Sequence, residues 1–316
     1  MISLDPSQLV GSYTPLVTPF ADGRVDLAAY ERLVDRQVAD GSQGIVICGT
    51  TGEPSLLRPS ERTELVRVAV SATAGRIPVV AATGSASYDE TRVLCEEAVA
   101  AGADALLVVT PYYLRPPQRG LVEYYCDLGS RFDLPFLIYH IPGRAAVTLE
   151  PESLAAIAER TPNLVGMKHA ATDLALITQA RALLGPDFRV FVGLEELSLP
   201  MLAVGSHGLM NAVGNLVPGR VAALCQAVAE GRLADARAIH DALWELNRSI
   251  FFDMNPIPIK YMMRRIGLLE VNEHRLPMMP ATPELEKRLD GVLERAGLLP
   301  EQAEPTAVTA QGQVRA

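Results

Sequence analysis

The sequence predicts an α/β chain closed into a (β/α)8 TIM barrel with a C-terminal helical extension, and three observations carry that expectation. Short β-branched runs alternate eight times with longer amphipathic stretches over about 220 residues, a pattern that implies a parallel sheet covered by helices. Eight such units close naturally into a barrel. No Gly-x-Gly-x-x-Gly fingerprint opens a helix after the first strand, so the competing doubly wound dinucleotide fold loses support.

In order, the predicted strand and helix pairs are residues 13–20 with 27–41, 44–50 with 59–74, 78–84 with 88–101, and 105–111 with 118–130. They continue with 135–142 and 151–160, 164–170 and 173–184, 188–194 and 196–204, and 208–214 and 218–229. Gly41, Gly75 and Gly102 fall just past helical stretches, where a left-handed residue closes a helix, while Pro59 and Pro151 stand near helix starts. From residue 233 the pattern turns helical, over 233–250, 256–266 and 283–296. The expected organisation is therefore a barrel over residues 1–232, a helical extension over 233–300 packed on its outside, and a polar, aperiodic, disordered tail over 301–316.

A hydrophobic content of 49% supports a sizeable core, and a net charge of -9 without any Lys/Arg-rich run argues against a nucleic-acid partner. The N-terminus lacks a signal-peptide pattern, and no apolar segment is long enough to cross a bilayer, so the expected location is cytoplasmic with no membrane partner. Cys48, Cys95, Cys126 and Cys225 lie far apart and read as buried reduced thiols. The five histidines show no ligand spacing, and no metal site is expected.

Chemistry enters at the apolar run Leu164-Val165-Gly166-Met167-Lys168-His169-Ala170, because lysine is among the residues least often buried without a partner. Lys168 is either a strand-end lysine that reaches water or a nucleophilic amine favoured in its neutral form by apolar surroundings. In a barrel of this type the reacting groups come from the C-terminal ends of the strands. The turn Gly49-Thr50-Thr51-Gly52-Glu53 ends the second strand; its backbone N–H groups and hydroxyls suit a carboxylate, although it also reads as a plain structural turn. Tyr139 ends the fifth strand, where its phenol either passes protons in the barrel mouth or makes one ordinary hydrogen bond. Arg144 is placed to clamp a second carboxylate or to sit in solvent, and Tyr112 and Tyr113 also suit a loop's hydrophobic plug. Taken together these groups fit Schiff-base chemistry on a 2-oxo acid, with the imine as electron sink.

The Gly49–Glu53 turn, the 139–144 segment, Gly166-Met167-Lys168 and Asn255-Pro256-Ile257-Pro258-Ile259-Lys260 occur in one order and spacing. In these motifs, from about residue 11 to residue 280, the chain resembles the dihydrodipicolinate synthase and N-acetylneuraminate lyase family of class I aldolases. The resemblance implies an imine of Lys168 with pyruvate and no other cofactor. It further implies carboxylate binding by Thr50 and Thr51 on the Gly49 turn, and proton shuttling by Tyr139 with Thr50. Tyr113 would enter from a neighbouring subunit of a homotetramer or homodimer, Arg144 would meet a second carboxylate, and the Met210 carbonyl would face the imine. His169 is expected to be a bystander, since strand alternation turns it away from the side that Lys168 faces.

His140-Ile141-Pro142-Gly143-Arg144 stands where the synthase branch usually has Asn-Val-Pro-Ser-Arg, and the departures His140 and Gly143 are expected at the mouth where the second substrate binds. The stretch 54–62 carries no histidine, so the resemblance does not extend to the effector cleft of lysine-regulated synthases. The implied reaction is condensation of pyruvate with L-aspartate-4-semialdehyde. The alternatives are a catabolic 2-oxo acid aldolase or dehydratase using the same imine, and a catalytically silent ligand-binding barrel.

Overall fold

A computed structural model describes residue 4 and residues 6–299 of the chain, so the expected disordered tail over 301–316 lies outside the described residues. Eight parallel strands form a closed barrel: β1 (Gly11–Pro15), β2 (Gly44–Ile47), β3 (Val79–Ala82), β4 (Ala105–Val109), β5 (Phe136–His140), β6 (Leu164–His169), β7 (Arg189–Val192) and β8 (Gly208–Leu209). The helices that cross between them are α1 (Leu27–Ala39), α2 (Pro59–Thr73), α3 (Tyr88–Ala100), α4 (Gln118–Gly129), α5 (Pro151–Arg160), α6 (Ala175–Leu184), α7 (Ser198–Ala203) and α8 (Pro218–Ala229). Then come α9 (Leu233–Ser249), α10 (Ile257–Arg265) and α11 (Pro283–Arg295). No helix among the described residues is long and apolar enough to cross a membrane.

Local chemistry sets these boundaries. Asp26, Ser87 and Thr282 cap α1, α3 and α11 by accepting a backbone N–H from Ala29, Glu90 and Leu285. Proline occupies the first turn of α2, α5, α8 and α11, where its missing N–H costs nothing. Gly41, Gly75 and Gly102 adopt φ of +84°, +72° and +92°, as the helix-end reading expects. The first strand departs from expectation by starting at Gly11 and ending at Pro15. Residues 20–25 instead form a small antiparallel ribbon around Asp22 and Gly23, both at positive φ, the backbone that an Asp-Gly hairpin turn requires.

The core has two shells. Between the strands and the helices lie residues such as Ile45, Ile47, Leu106, Ile138 and Met167, and the extension joins this shell through Leu243, Leu246, Ile259, Met262 and Leu289. Inside the barrel, Tyr13, Val46, Val80, Leu107, Leu137, Phe191 and Met210 fill the interior. Tyr13 packs edge-to-face on Phe191 with centroids 5.1 Å apart and donates its hydroxyl to the Gln8 carbonyl at 2.9 Å. Gly44 makes room for that ring, since a Cβ there would lie 2.2 Å from a Tyr13 ring carbon.

One irregularity decides what the interior contains. Phe136 pairs with Leu164 but Leu137 pairs with Gly166, so β6 carries one extra residue, Val165, as a bulge. Beyond it Tyr139 pairs with Lys168, and Lys168 with Phe191 of the inner shell. A Cβ on Gly166 would sit 2.2 Å from the Arg189 carbonyl, so the bulged strand fits against β7 only with glycine here.

Candidate active site

The C-terminal ends of the strands open into a cavity of about 580 Å³, within the range of small-molecule sites. Thr50 and Tyr139 lie in its wall, Arg144 at its rim, and Met254, Asn255 and Met278 of the extension close its far side.

The threonine turn is a short 3-10 segment, Thr50–Gly52, in which the Gly52 N–H donates to the Gly49 carbonyl at 2.8 Å and the Glu53 N–H to the Thr50 carbonyl at 3.1 Å. The Thr50 hydroxyl lies 3.2 Å from the Tyr139 hydroxyl, a hydrogen bond that joins β2 to β5 across the mouth. The Thr51 hydroxyl is buried and accepts a hydrogen bond from the Asn255 side-chain amide at 3.0 Å.

Lys168 stands behind the Tyr139 ring, with Nζ 4.4 Å from the ring centroid and only 4% of the residue exposed. Gly193, just past β7, admits its stem: a Cβ there would lie 2.7 Å from Lys168 Cε. The sequence holds three lysines, Lys168, Lys260 and Lys287. Lys287 is exposed on α11, and Lys260 is buried in an ion pair with Glu53, so of the three Lys168 alone is buried against the ring of the tyrosine that hydrogen-bonds Thr50.

Beside Lys168 lies a carboxyl group that sequence reasoning missed. Glu195, on the loop after β7, is fully enclosed; its Oε1 accepts the Ala212 N–H at 2.6 Å, and its Oε2 has no hydrogen-bond partner. Burial pushes its pKa up to about 7, against the pull of the Ala212 N–H and of the Lys168 charge. The Ser198 hydroxyl donates to the Glu195 carbonyl at 2.7 Å and accepts the Asn211 amide at 2.6 Å, which ties the β7 loop to the chain just after Met210. Met210 itself is buried in the inner shell with Tyr139.

The remaining expected residues divide. Arg144 lies on a one-turn helix, Pro142–Ala145, exposed, with a guanidinium nitrogen 3.2 Å from the Met254 sulfur. Gly143 beside it is exposed as well. Tyr112 lines the cavity, whereas Tyr113 is 88% exposed at φ +72° and stands outside it.

His140 is corrected. It was expected at the mouth, but it follows Tyr139 in a strand and therefore faces the helices, buried against His169. The two Nδ1 atoms are 3.1 Å apart and the rings stack. His169 Nε2 lies 2.9 Å from the Asp173 carbonyl, which can only accept, so His169 carries its proton on Nε2 and accepts on Nδ1. His140 must then donate from Nδ1, and its Nε2 is left buried without a partner. Burial lowers both pKa values, that of His140 to about 4, and keeps the couple neutral. His169 does face away from Lys168.

A second omission lies under the threonine turn. Lys260 Nζ is 3.1 Å from Glu53 Oε1 and donates to the Glu273 carbonyl at 2.7 Å. Burial pulls this pair toward its neutral forms, up for Glu53 and down for Lys260, and their mutual attraction opposes it. A lysine inside the apolar helix Ile257–Arg265 was the available signal, the same oddity that singles out Lys168. Among the described residues, no group of three or more His, Cys, Asp or Glu could hold a metal ion, and all four cysteines are buried and unpaired.

Comparison with known proteins shows the family. Residues 8–296 match the model of the dihydrodipicolinate synthetase family. A 4-hydroxy-tetrahydrodipicolinate synthase of Thermus thermophilus is 43% identical over 295 residues, 93% of this chain and 98% of that protein. One from Oleidesulfovibrio alaskensis is 38% identical over 292 residues, 92% of this chain and 100% of that protein. The crystal structure of dihydrodipicolinate synthase from Aquifex aeolicus superposes with a TM-score of 0.89 at 37% identity, covering 92% of this chain and 98% of that one. The chain thus belongs to the dihydrodipicolinate synthetase family of pyruvate-dependent, lyase-type aldolases.

Proposed function

We propose that the chain is a 4-hydroxy-tetrahydrodipicolinate synthase, condensing pyruvate with L-aspartate-4-semialdehyde through an imine on Lys168. The observation that carries this reading is the convergence of Lys168, Tyr139 and Thr50: an amine 4.4 Å from a phenol ring whose hydroxyl is 3.2 Å from a threonine hydroxyl. The names of relatives up to 43% identical over nearly the whole chain support the choice of substrates.

The Lys168 lone pair adds to the keto carbon of pyruvate, and the carbinolamine loses water to give the iminium, with protons passing through Tyr139 and Thr50. The iminium withdraws electrons, so the pyruvate methyl group gives up a proton and becomes the enamine carbon that attacks the aldehyde. The semialdehyde's own amino group then displaces Lys168 by transimination, which closes the ring and frees the lysine. The Gly49-Thr50-Thr51 turn holds the pyruvate carboxylate, the Met210 carbonyl faces the imine, and Arg144 meets the carboxylate of the semialdehyde at the rim. The imine needs no added cofactor. Tyr113 extends the Tyr139–Thr50 relay of a neighbouring subunit in a homo-oligomer, a role suited to an exposed tyrosine held outside its own cavity.

His140 and Gly143 at the mouth would accommodate the substrate of a catabolic aldolase, but His140 is buried. Turnover of pyruvate with L-aspartate-4-semialdehyde, measured beside cleavage of a panel of 2-oxo acid aldols, tests the assignment. Efficient turnover of the semialdehyde is expected; background turnover with rapid cleavage of another aldol contradicts it.

A further inference from the structure

The turn that holds the 2-oxo acid carboxylate is fixed from its far side by the helical extension. Glu53 closes that turn at φ +56°, a left-handed backbone that glycine or asparagine adopts more cheaply. Its value at this position therefore lies in its side chain, which reaches Lys260 of α10 across 207 positions of sequence. Both side chains are enclosed, 2% and 0% exposed. The Lys260 ammonium also lies 4.5 Å from the centroid of the Phe20 ring.

Such a pair is a poor stabiliser, because removing two charges from water costs about as much as their attraction returns. Glu53 Oε2, buried without a partner, adds to the cost. Asn255, at the start of the same helix, makes the second contact, donating to the Thr51 hydroxyl oxygen at 3.0 Å. With that oxygen already accepting, the hydroxyl hydrogen is left to donate elsewhere, as a carboxylate ligand requires. Lys260 also grips the Glu273 carbonyl, and neighbouring Arg275 bonds both Glu61 carboxylate oxygens, at 2.7 and 2.8 Å, and the Leu56 carbonyl at 3.0 Å. The whole loop after β2 is thereby clamped to the extension.

We infer that the buried Glu53–Lys260 pair and Asn255 are positioning residues that set the Thr50–Thr51 turn for the carboxylate of the 2-oxo acid, which makes the helical extension part of the binding site. The inference rests on the imine reading above. Its test uses the full-length double variant Glu53→Leu with Lys260→Met, which leaves no buried charge unpaired, and the single variant Asn255→Ala. The readouts are the pyruvate concentration for half-maximal borohydride-trapped adduct on Lys168, kcat at saturating pyruvate, and the melting temperature.

A positioning role predicts half-saturation raised about tenfold or more in the double variant, and less in Asn255→Ala, with kcat within about threefold and melting little changed. A double variant with wild-type half-saturation overturns it. So does a double variant that does not fold, because the pair is then a stabilising element. Absence of any adduct in the wild-type protein sinks the imine reading itself and is seen before a variant is made.

Discussion

The inner and outer faces of the β5–β6 strand pair carry two polar couples one residue apart, Tyr139 with Lys168 and His140 with His169. All four residues are buried, and the couples share one backbone ladder. What separates them is access to space. The inner couple borders the cavity through Tyr139 and is linked there to the Thr50 hydroxyl, whereas the outer couple ends on a backbone carbonyl and an unpartnered nitrogen under the helices. Burial alone thus distinguishes neither couple; the open volume beside Tyr139 does, and it is why the imine is proposed on the inner one.

Substitutions on the two faces sharpen the contrast. Lys168→Met has the largest expected effect, a loss of turnover of about 10³-fold or more in steady-state kinetics, because among the described residues the other two lysines are either tied up with Glu53 or exposed on α11. Activity within tenfold of wild type would show that the inner couple is not the nucleophilic one. Tyr139→Phe keeps the ring against Lys168 and removes the hydroxyl that meets Thr50, so kcat should fall by roughly 10²-fold, and unchanged kcat would take proton transfer elsewhere.

Glu195 and His140 give smaller effects, of opposite sign in pH. The pKa of Glu195 is raised in the folded chain, so the stability it contributes is full below about 4.5 and is lost as pH rises through about 7. Glu195→Gln should cancel a decline of roughly 3 kcal/mol across that window, read by denaturant unfolding at several pH values. His140 is lowered to about 4, so its contribution is full above 6.5 and is lost as pH falls through 4. His140→Asn should flatten that acid-side loss by about 3 kcal/mol while leaving kcat within about threefold. A large loss of kcat would return His140 to the mouth.

The barrel was legible because each unit announces itself locally, by a β-branched run, a capping residue or a helix-end glycine. The inward direction of Lys168 was not. Counting by twos from Leu164, which faces the helices, puts Lys168 on the helix side as well. The Val165 bulge reverses that count, and it is set by pairing with Phe136 and Leu137 and by the close approach of Gly166 to Arg189, contacts that no local window contains. The position of His140 was legible and misread, since the alternation that sets His169 aside applies equally to the residue after Tyr139. Glu53 and Lys260 meet across nearly the length of the barrel, so only the folded chain pairs them.

Treating the protein with pyruvate and borohydride and then mapping the modified peptide tests the central claim most directly, because only three lysines compete for the label. The account predicts a pyruvate-derived adduct on Lys168 alone. No adduct, or one on Lys260 or Lys287, would contradict it.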